Sequence, residues 1–414
     1  MAATTTSRRV VVTGLGAISS IGIGVAEFLA GLRAGRSGAR TITAFDVSGF
    51  DHAQGCEVTD FDPDRFIREL PLAEFGRASH FTAAAARLAV EDSGLPLERL
   101  QNARSLVAVG TTDGESRDID YLVQLEVTAG PEQMDPAVAR RVPAGRLSVA
   151  AARELGLRNV EAVTVPTACA AGNYAIGYGF DAVRSGDVEF ALCGGADAVC
   201  RKTFAGFYRL GTIAPERCQP FDRDRKGILT GEGSGMLLLE TLDSAQARGA
   251  RIYAEVLGYG LNCDADHPVA PNEDSFARCM RLALENANIQ SSDVDLISAH
   301  GTGTRANDVT EARAIRQVFG SGSPRTISIK SMIGHSMGAA SALASIACAL
   351  AIRESFIPPT INHEVTDPEC DIDCVPNRAR EATLKVVQNN ALAFAGNNAV
   401  LILGALNRQE ARPS

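Results

Sequence analysis

The sequence predicts an α/β fold with room for two similar halves, and three observations carry that reading. Apolar, β-rich runs end in glycine at residues 9–14 (RVVVTG), 105–110 (SLVAVG), 188–195 (VEFALCGG) and 391–396 (ALAFAG). Segments with helical spacing alternate with them. The chain has 414 residues, about two to three times a common single-domain length.

Near-continuous apolar runs of this length suit strands buried on both faces between layers of helices. Residues 81–93 (FTAAAARLAVEDS) place Ala and Leu at helical spacing. Residues 276–286 (FARCMRLALEN) form a second amphipathic segment, with Asp274 or Ser275 as its cap. A further helix is expected over residues 307–319, capped by Asn307 or Asp308. A polar helix end at residues 241–250 precedes a new strand at 252–257, which divides the chain into halves at 1–250 and 251–414. No low-complexity linker marks the join, so the halves should share an interface. Residues 407–414 read as a frayed tail.

Composition narrows the function. Apolar residues make up 45% and charged residues 21%, ordinary for a globular protein, and the net charge is −9. That balance argues against nucleic acid or an anionic membrane as partner, since both need a basic face. An acidic carrier protein could still dock on a local basic patch. The short polar N-terminal segment has no signal-peptide pattern. The 17 uncharged residues 336–352 are short for a membrane span and lack aromatic anchors, so a buried helix is expected there. Ten scattered cysteines with no secretory signal suit reduced thiols in the cytoplasm. Cys370 and Cys374 have no second close pair to complete a zinc site and read as structural thiols.

Three segments carry chemistry. In residues 163–172 (VTVPTACAAG) a β-rich run stops at Pro166 and sets Cys169 before small residues and a helix. Unpaired N–H groups and the dipole at a helix start favour thiolate, and small neighbours leave space for a thioester. A lone buried cysteine is more often structural. In residues 294–304 (VDLISAHGTGT) and 326–338 (TISIKSMIGHSMG), strands run into His300 and into Lys330 and His335. Only six histidines exist, and two of them sit at strand-to-glycine exits, where α/β folds gather site residues. Singly, each is more often a satisfied core or surface residue; together they are much less readily an accident.

These segments resemble the motifs of the β-ketoacyl synthase family, specifically its elongating synthases and type II polyketide ketosynthases. Thr167-Ala168-Cys169 matches the nucleophile motif, residues 300–304 the H-G-T-G-T motif, and Lys330 to His335 the K-x-x-x-G-H motif. The similarity runs from residue 8 to residue 403. It implies a thiolase-like five-layered α-β-α-β-α sandwich of two duplicated halves, usually paired as a dimer. It also implies an acyl group carried on Cys169, with His300 and His335 stabilising the enolate of a decarboxylating malonyl thioester. Lys330 would orient the site, with Glu311 as a supporting charge; alternatively Asp308 and Glu311 are a cap and a solvated face. Cys169 and Phe394 would supply oxyanion-hole N–H groups, and Phe394 would act as gate. Thr302, Thr304 and Asn398 would serve the pantetheine arm or substrate. No metal or cofactor is implied beyond the phosphopantetheine of an acyl carrier protein. The partner would be an identical subunit or one resembling a chain-length factor.

Departures from the family pattern are informative. The gate loop commonly reads G-F-G-G-T-N, whereas residues 393–398 read AFAGNN, so positive-φ backbone states at Ala393 and Ala395 should be costly. Residues 211–221 (GTIAPERCQPF) lack an Arg-Asn-Asp run common in housekeeping members, which favours a specialised pathway over primary fatty-acid elongation. The alternatives kept are an elongation synthase and a subunit acting mainly as partner of another ketosynthase. Such partner subunits lack the nucleophile, which Cys169 supplies here. A dinucleotide-binding reading of Gly14-Leu15-Gly16 fails because Ser19 stands where the third glycine belongs. A thiolase would need a cysteine in the C-terminal loop, and residues 393–398 contain none.

Overall fold

The computed structural model describes residues 8–406. Residues 1–7 of the N-terminal segment and the expected frayed tail at 407–414 lie outside the described residues. Ten strands follow one another across a single sheet. In the first half they are β1 (Val10–Ser19), β2 (Ser105–Gly110), β3 (Val160–Val165), β4 (Phe190–Asp197) and β5 (Gly233–Thr241). In the second they are β6 (Ala254–Cys263), β7 (Leu296–Ser298), β8 (Arg325–Ile327), β9 (Val386–Leu392) and β10 (Asn397–Gly404). The strand order is β8-β7-β9-β10-β6-β1-β5-β4-β2-β3.

Outward from the centre, each half repeats one pattern. β1 pairs antiparallel with β5 and β5 with β4, while β4, β2 and β3 run parallel. β6, β10, β9, β7 and β8 repeat those pairings in the same order. The halves meet where Val10, Val11 and Val12 pair with Val256, Glu255 and Ala254. This is the duplicated thiolase-like α/β sandwich.

Helices α1 (Arg77–Ser93), α2 (Ala171–Ser185), α3 (Glu273–Asn286), α4 (Arg305–Phe319) and α5 (Ala340–Glu354) cover the sheet. The outer helix α1 packs so closely that a Cβ at Gly14 or Gly16 would come within 2.1 or 1.9 Å of the carbonyl oxygens of Ala89 and Ala85. Helix contact, not a phosphate, therefore explains the early glycines. α2 and α5 form the middle layer, joined in one core with Val10, Val12, Leu237 and Leu401. Every residue of α5 from Ala340 to Ile352 is buried. Residues 337–354 are apolar enough to cross a membrane, but 89% of them are buried inside the protein, as a core helix.

Several local expectations shift. Asn272, not Asp274 or Ser275, caps α3, and Thr304, not Asn307 or Asp308, caps α4. Asn307 and Asp308 lie inside the first turn, where Asp308 is fully buried. Of residues 391–396 only the first two are strand: β9 ends at Leu392, a 3-10 turn spans Phe394–Gly396, and β10 follows. Glycine marked a turn there, as glycine does when a left-handed conformation is needed; Gly396 has φ 77°.

Candidate active site

Cys169 follows β3 in a 3-10 turn, Ala168–Ala170, which leads into α2. Gly172 lets α2 approach the start of α5, since a Cβ there would lie 2.7 Å from the Ala342 nitrogen. His300 leaves β7, and His335 follows the short helix Lys330–Ile333. Cys169, His300 and His335 line one cavity of about 120 Å³, together with Thr302, Thr304 and Phe394. The imidazole centroids are 5.4 Å apart with the rings at 82°.

Hydrogen bonds fix what each imidazole can do. The Met337 N–H donates to His335 Nδ1 at 3.2 Å, so Nδ1 is an acceptor and the ring proton sits on Nε2. Lys330 Nζ donates to the His300 carbonyl at 2.7 Å and lies 3.5 Å from His300 Nδ1. Burial lowers the Lys330 pKa, with Glu311 opposing; as an ammonium Lys330 only donates, which favours the His300 proton on Nε2 as well. Burial, then the Lys330 charge, holds both histidines well below their usual pKa, with the His335 ring adding to the effect on His300. Two neutral rings are left, each with an Nε2–H to offer a molecule in the cavity.

Carboxylates shape the surrounding backbone. Glu311 accepts from the N–H groups of His300 and Gly301, both at 2.8 Å, and from Asn390 at 3.1 Å. It is fully buried, which excludes the solvated-face reading. Burial pushes its pKa up while those donors pull it down. Its hydrogen bonds go to the His300 turn, and Lys330 feels it only through space. Asp308 accepts from Gly303 and Phe221 N–H and pairs with buried Arg225 at 3.4 Å. Thr302 and Thr304 share a hydrogen bond of 2.9 Å at the cavity wall.

The thiol departs from expectation. Burial pushes Cys169 up to about 12, with Lys330 opposing and Asp197 and Asp113 adding to the rise. Desolvation is therefore the largest of these effects on the resting thiol.

The beta-ketoacyl synthase N-terminal domain model matches residues 7–245, and the C-terminal domain model matches residues 253–364. The chain belongs to the β-ketoacyl synthase family. It is thus a condensing acyltransferase by family. It is 38% identical to 3-oxoacyl-[acyl-carrier-protein] synthase 2 of Synechocystis sp. over 95% of this chain and 97% of that protein. Nodulation protein E of a Rhizobium species is 39% identical, covering 95% and 98%. Among solved structures, a chain of the ishigamide ketosynthase/chain length factor superposes with a TM-score of 0.96 at 62% identity, covering 97% of this chain and all (100%) of that one. A type II polyketide synthase ketosynthase, solved bound to the hexaketide and in complex with its acyl-carrier protein, gives 0.89 at 30% identity, covering 97% and 100%.

In this β-ketoacyl synthase the Phe394 ring closes on Phe207, with centroids 5.3 Å apart. Phe207 lies on the helix Arg201–Arg209, a wall that sequence reasoning did not identify. Ala395 holds φ 64°, while Ala393 is extended at φ −129°. Only one of the two alanines thus bears the expected strain. The loop is tied down by Ala395 N–H to the Pro268 carbonyl at 2.8 Å and by Asp264 N–H to the Gly396 carbonyl at 2.9 Å. Asn398 does not line the cavity. Its amide donates to Asn262 and Asp264 at 3.0 and 2.7 Å, which ties it to the segment that holds this loop. The departing segment 211–221 builds the opposite wall: Thr212 lines the cavity and the Cys218 thiol donates to the Thr302 carbonyl at 3.3 Å.

Proposed function

We propose that this enzyme condenses an acyl thioester on Cys169 with a malonyl thioester, both delivered on the phosphopantetheine of an acyl carrier protein. The observation that carries this reading is the pair of neutral imidazoles, each held by its Nδ1 so that Nε2–H is left for the cavity that Cys169 shares.

In the first step Cys169 Sγ attacks the acyl carbonyl. The arm's sulfur leaves and takes the thiol proton. Backbone N–H groups of Cys169 and Phe394 would stabilise the oxyanion. Burial keeps the resting thiol protonated. In the second step the malonyl carboxylate leaves as carbon dioxide, and its bonding electrons become an enolate whose oxygen accepts from His300 and His335 Nε2–H. The enolate carbon attacks the acyl–Cys169 carbonyl, the sulfur departs as thiolate and the β-ketoacyl thioester is freed. One proton taken up from water then restores the Cys169 thiol, replacing the one that left with the arm's sulfur in the first step.

Pairing with a chain-length-factor-like subunit in a specialised pathway is supported by the 62% identity to a chain of the ishigamide ketosynthase/chain length factor, against 38% to the Synechocystis 3-oxoacyl-[acyl-carrier-protein] synthase 2. Carrier-bound products, identified by mass spectrometry with the chain alone and with such a subunit, test this reading. Equal product formation by the chain alone would favour a self-sufficient synthase. Acyl label on a peptide other than that of Cys169 would overturn the assignment of the nucleophile.

A further inference from the structure

The duplication equates two turns with different chemistry. Ala168–Ala170 leads into α2 and Met337–Ala339 into α5, and both helices have 15 residues. Each turn opens on a left-handed residue, Ala168 at φ 51° and Met337 at φ 50°. Cys169 and Gly338 therefore occupy corresponding places. Sheet register supplies a second correspondence. Where β1 and β6 cross, Val11 matches Glu255; their partners Glu240 and Gly404 face Phe190 and Val386. Counting along β4 and β9 from those residues brings Asp197 onto Ala393, the residue before the gate phenylalanine.

Cys169 and Ala393 both line the substrate cavity. Their counterparts instead meet directly: Gly338 N–H donates to Asp197 Oδ2 at 2.6 Å. The Asp197 carboxylate also accepts from Thr111 Oγ1 at 2.6 Å, Thr112 N–H at 2.8 Å and Asp113 N–H at 2.9 Å. It is fully buried. Burial and the neighbouring Asp113 push its pKa up, but four donors aimed at two oxygens leave no acceptor for a carboxyl proton and favour the anion. One half thus keeps an open cavity where the other carries a built-in anion.

We propose that Asp197 is a positioning residue for the decarboxylation step, holding the Met337 turn so that its N–H keeps His335 in the Nε2–H tautomer. The proposal rests on the reading of His335 given above. A left-handed non-glycine residue persists only where its surroundings hold it. Asp197 fixes the nitrogen on one side of Met337, and His335 Nδ1 receives the N–H on the other. Gly338 is required there, because a Cβ would lie 2.5 Å from Thr111 Cα and 2.8 Å from Asp197 Oδ2.

Asp197→Asn offers one acceptor oxygen and an amide that opposes the donors. In a Cys169→Gln background it should slow decarboxylation of a malonyl thioester at least tenfold. In the otherwise wild-type chain, acyl transfer to Cys169 should fall less than threefold. ¹⁵N-histidine spectra, assigned with a His335 variant, should show the His335 Nδ1 signal leaving the acceptor range. Thr111→Val removes a single donor and should move both readouts the same way by a smaller amount, two- to threefold in rate, which keeps the test available if Asp197→Asn does not fold. Equal losses in both half-reactions with an unmoved His335 signal, or no loss at all, overturn the proposal. Unimpaired decarboxylation by His335→Ala would instead overturn the role of His335 itself.

Discussion

The N–H of Met337 and Nδ1 of His335, 3.2 Å apart and two residues apart in the chain, decide which proton this site presents. Because the donor is backbone, the ring cannot exchange tautomers without losing that bond. With Lys330 set against His300, the site holds two hydrogen-bond donors, which the proposed function assigns to a developing enolate.

The half-reactions should therefore separate. Cys169→Gln is expected to decarboxylate malonyl-carrier without condensing. His300→Ala and His335→Ala in that background should each lose roughly a hundredfold in rate, the usual loss for one oxyanion donor. Carbon dioxide release measures this, and full activity in both histidine variants would require a different electrophile.

Neutral donors also predict a pH profile without a rise toward acid. Both rings are held well below their ordinary pKa by burial and Lys330. The decarboxylation rate of Cys169→Gln should show no rise from pH 8 to pH 6 through the histidines, and a fall toward acid would trace to Asp197, whose pKa burial and Asp113 push up. A rise toward acid centred near 6.5 would mean that imidazolium is the active form.

The same shifts affect stability. A histidine kept neutral in the fold but protonated near pH 6.5 when unfolded makes the unfolded chain the stronger proton binder below that pH. Stability from this source is complete above 6.5 and is lost as pH falls, by up to about 1.4 kcal/mol per unit for each histidine. Buried Glu311, raised by burial, works in the opposite sense, so a difference measurement is needed. His335→Asn keeps an acceptor for Met337 N–H and removes the titration. Urea titrations at pH 7 and 5.5 should show the variant gaining about 1 kcal/mol on the wild type at the lower pH.

Glycines separate close packing from open space. Gly16→Ala drives a Cβ into the Ala85 carbonyl and should cost about 3 kcal/mol or abolish soluble expression. Gly206→Ala, on an exposed helix position with nothing within 4 Å of the added carbon, should stabilise by about 0.5–1 kcal/mol. Thermal melting of both variants checks the contrast.

Cys169, His300, Lys330 and His335 were legible in the sequence because each ends or follows an apolar run, and strand exits converge in α/β folds. Asp197 was not, although it stands two residues beyond a strand that reads as ending at Gly195. Its task depends on register between halves about 140 residues apart in sequence, which no local pattern encodes. Thr304 was missed as a cap because its place beside the histidine drew a substrate-binding reading, whereas its hydroxyl also accepts from Asn307 N–H. The thiolate expectation for Cys169 took account of the helix start and left out burial, which pushes the thiol up.

The gate loop separates two alanines that the sequence treats alike, both expected to make positive-φ states costly. Only Ala395 adopts such a state, at φ 64° in the closed loop, where Phe394 rests on Phe207. Holding alanine left-handed costs about 1 kcal/mol, so an open loop in which residue 395 leaves that conformation would be favoured by the strain. Ala395→Gly removes that push and should shift the gate toward closed, slowing acyl transfer to Cys169 by about fivefold. Ala393 is extended at φ −129°, where alanine is unstrained, and glycine there adds freedom at the hinge. Ala393→Gly should therefore hold or raise the acylation rate. Single-turnover transfer from acyl-carrier protein distinguishes the two variants. Equal rates in both would mean that gate opening does not limit acylation and that Ala395 is strained for packing alone.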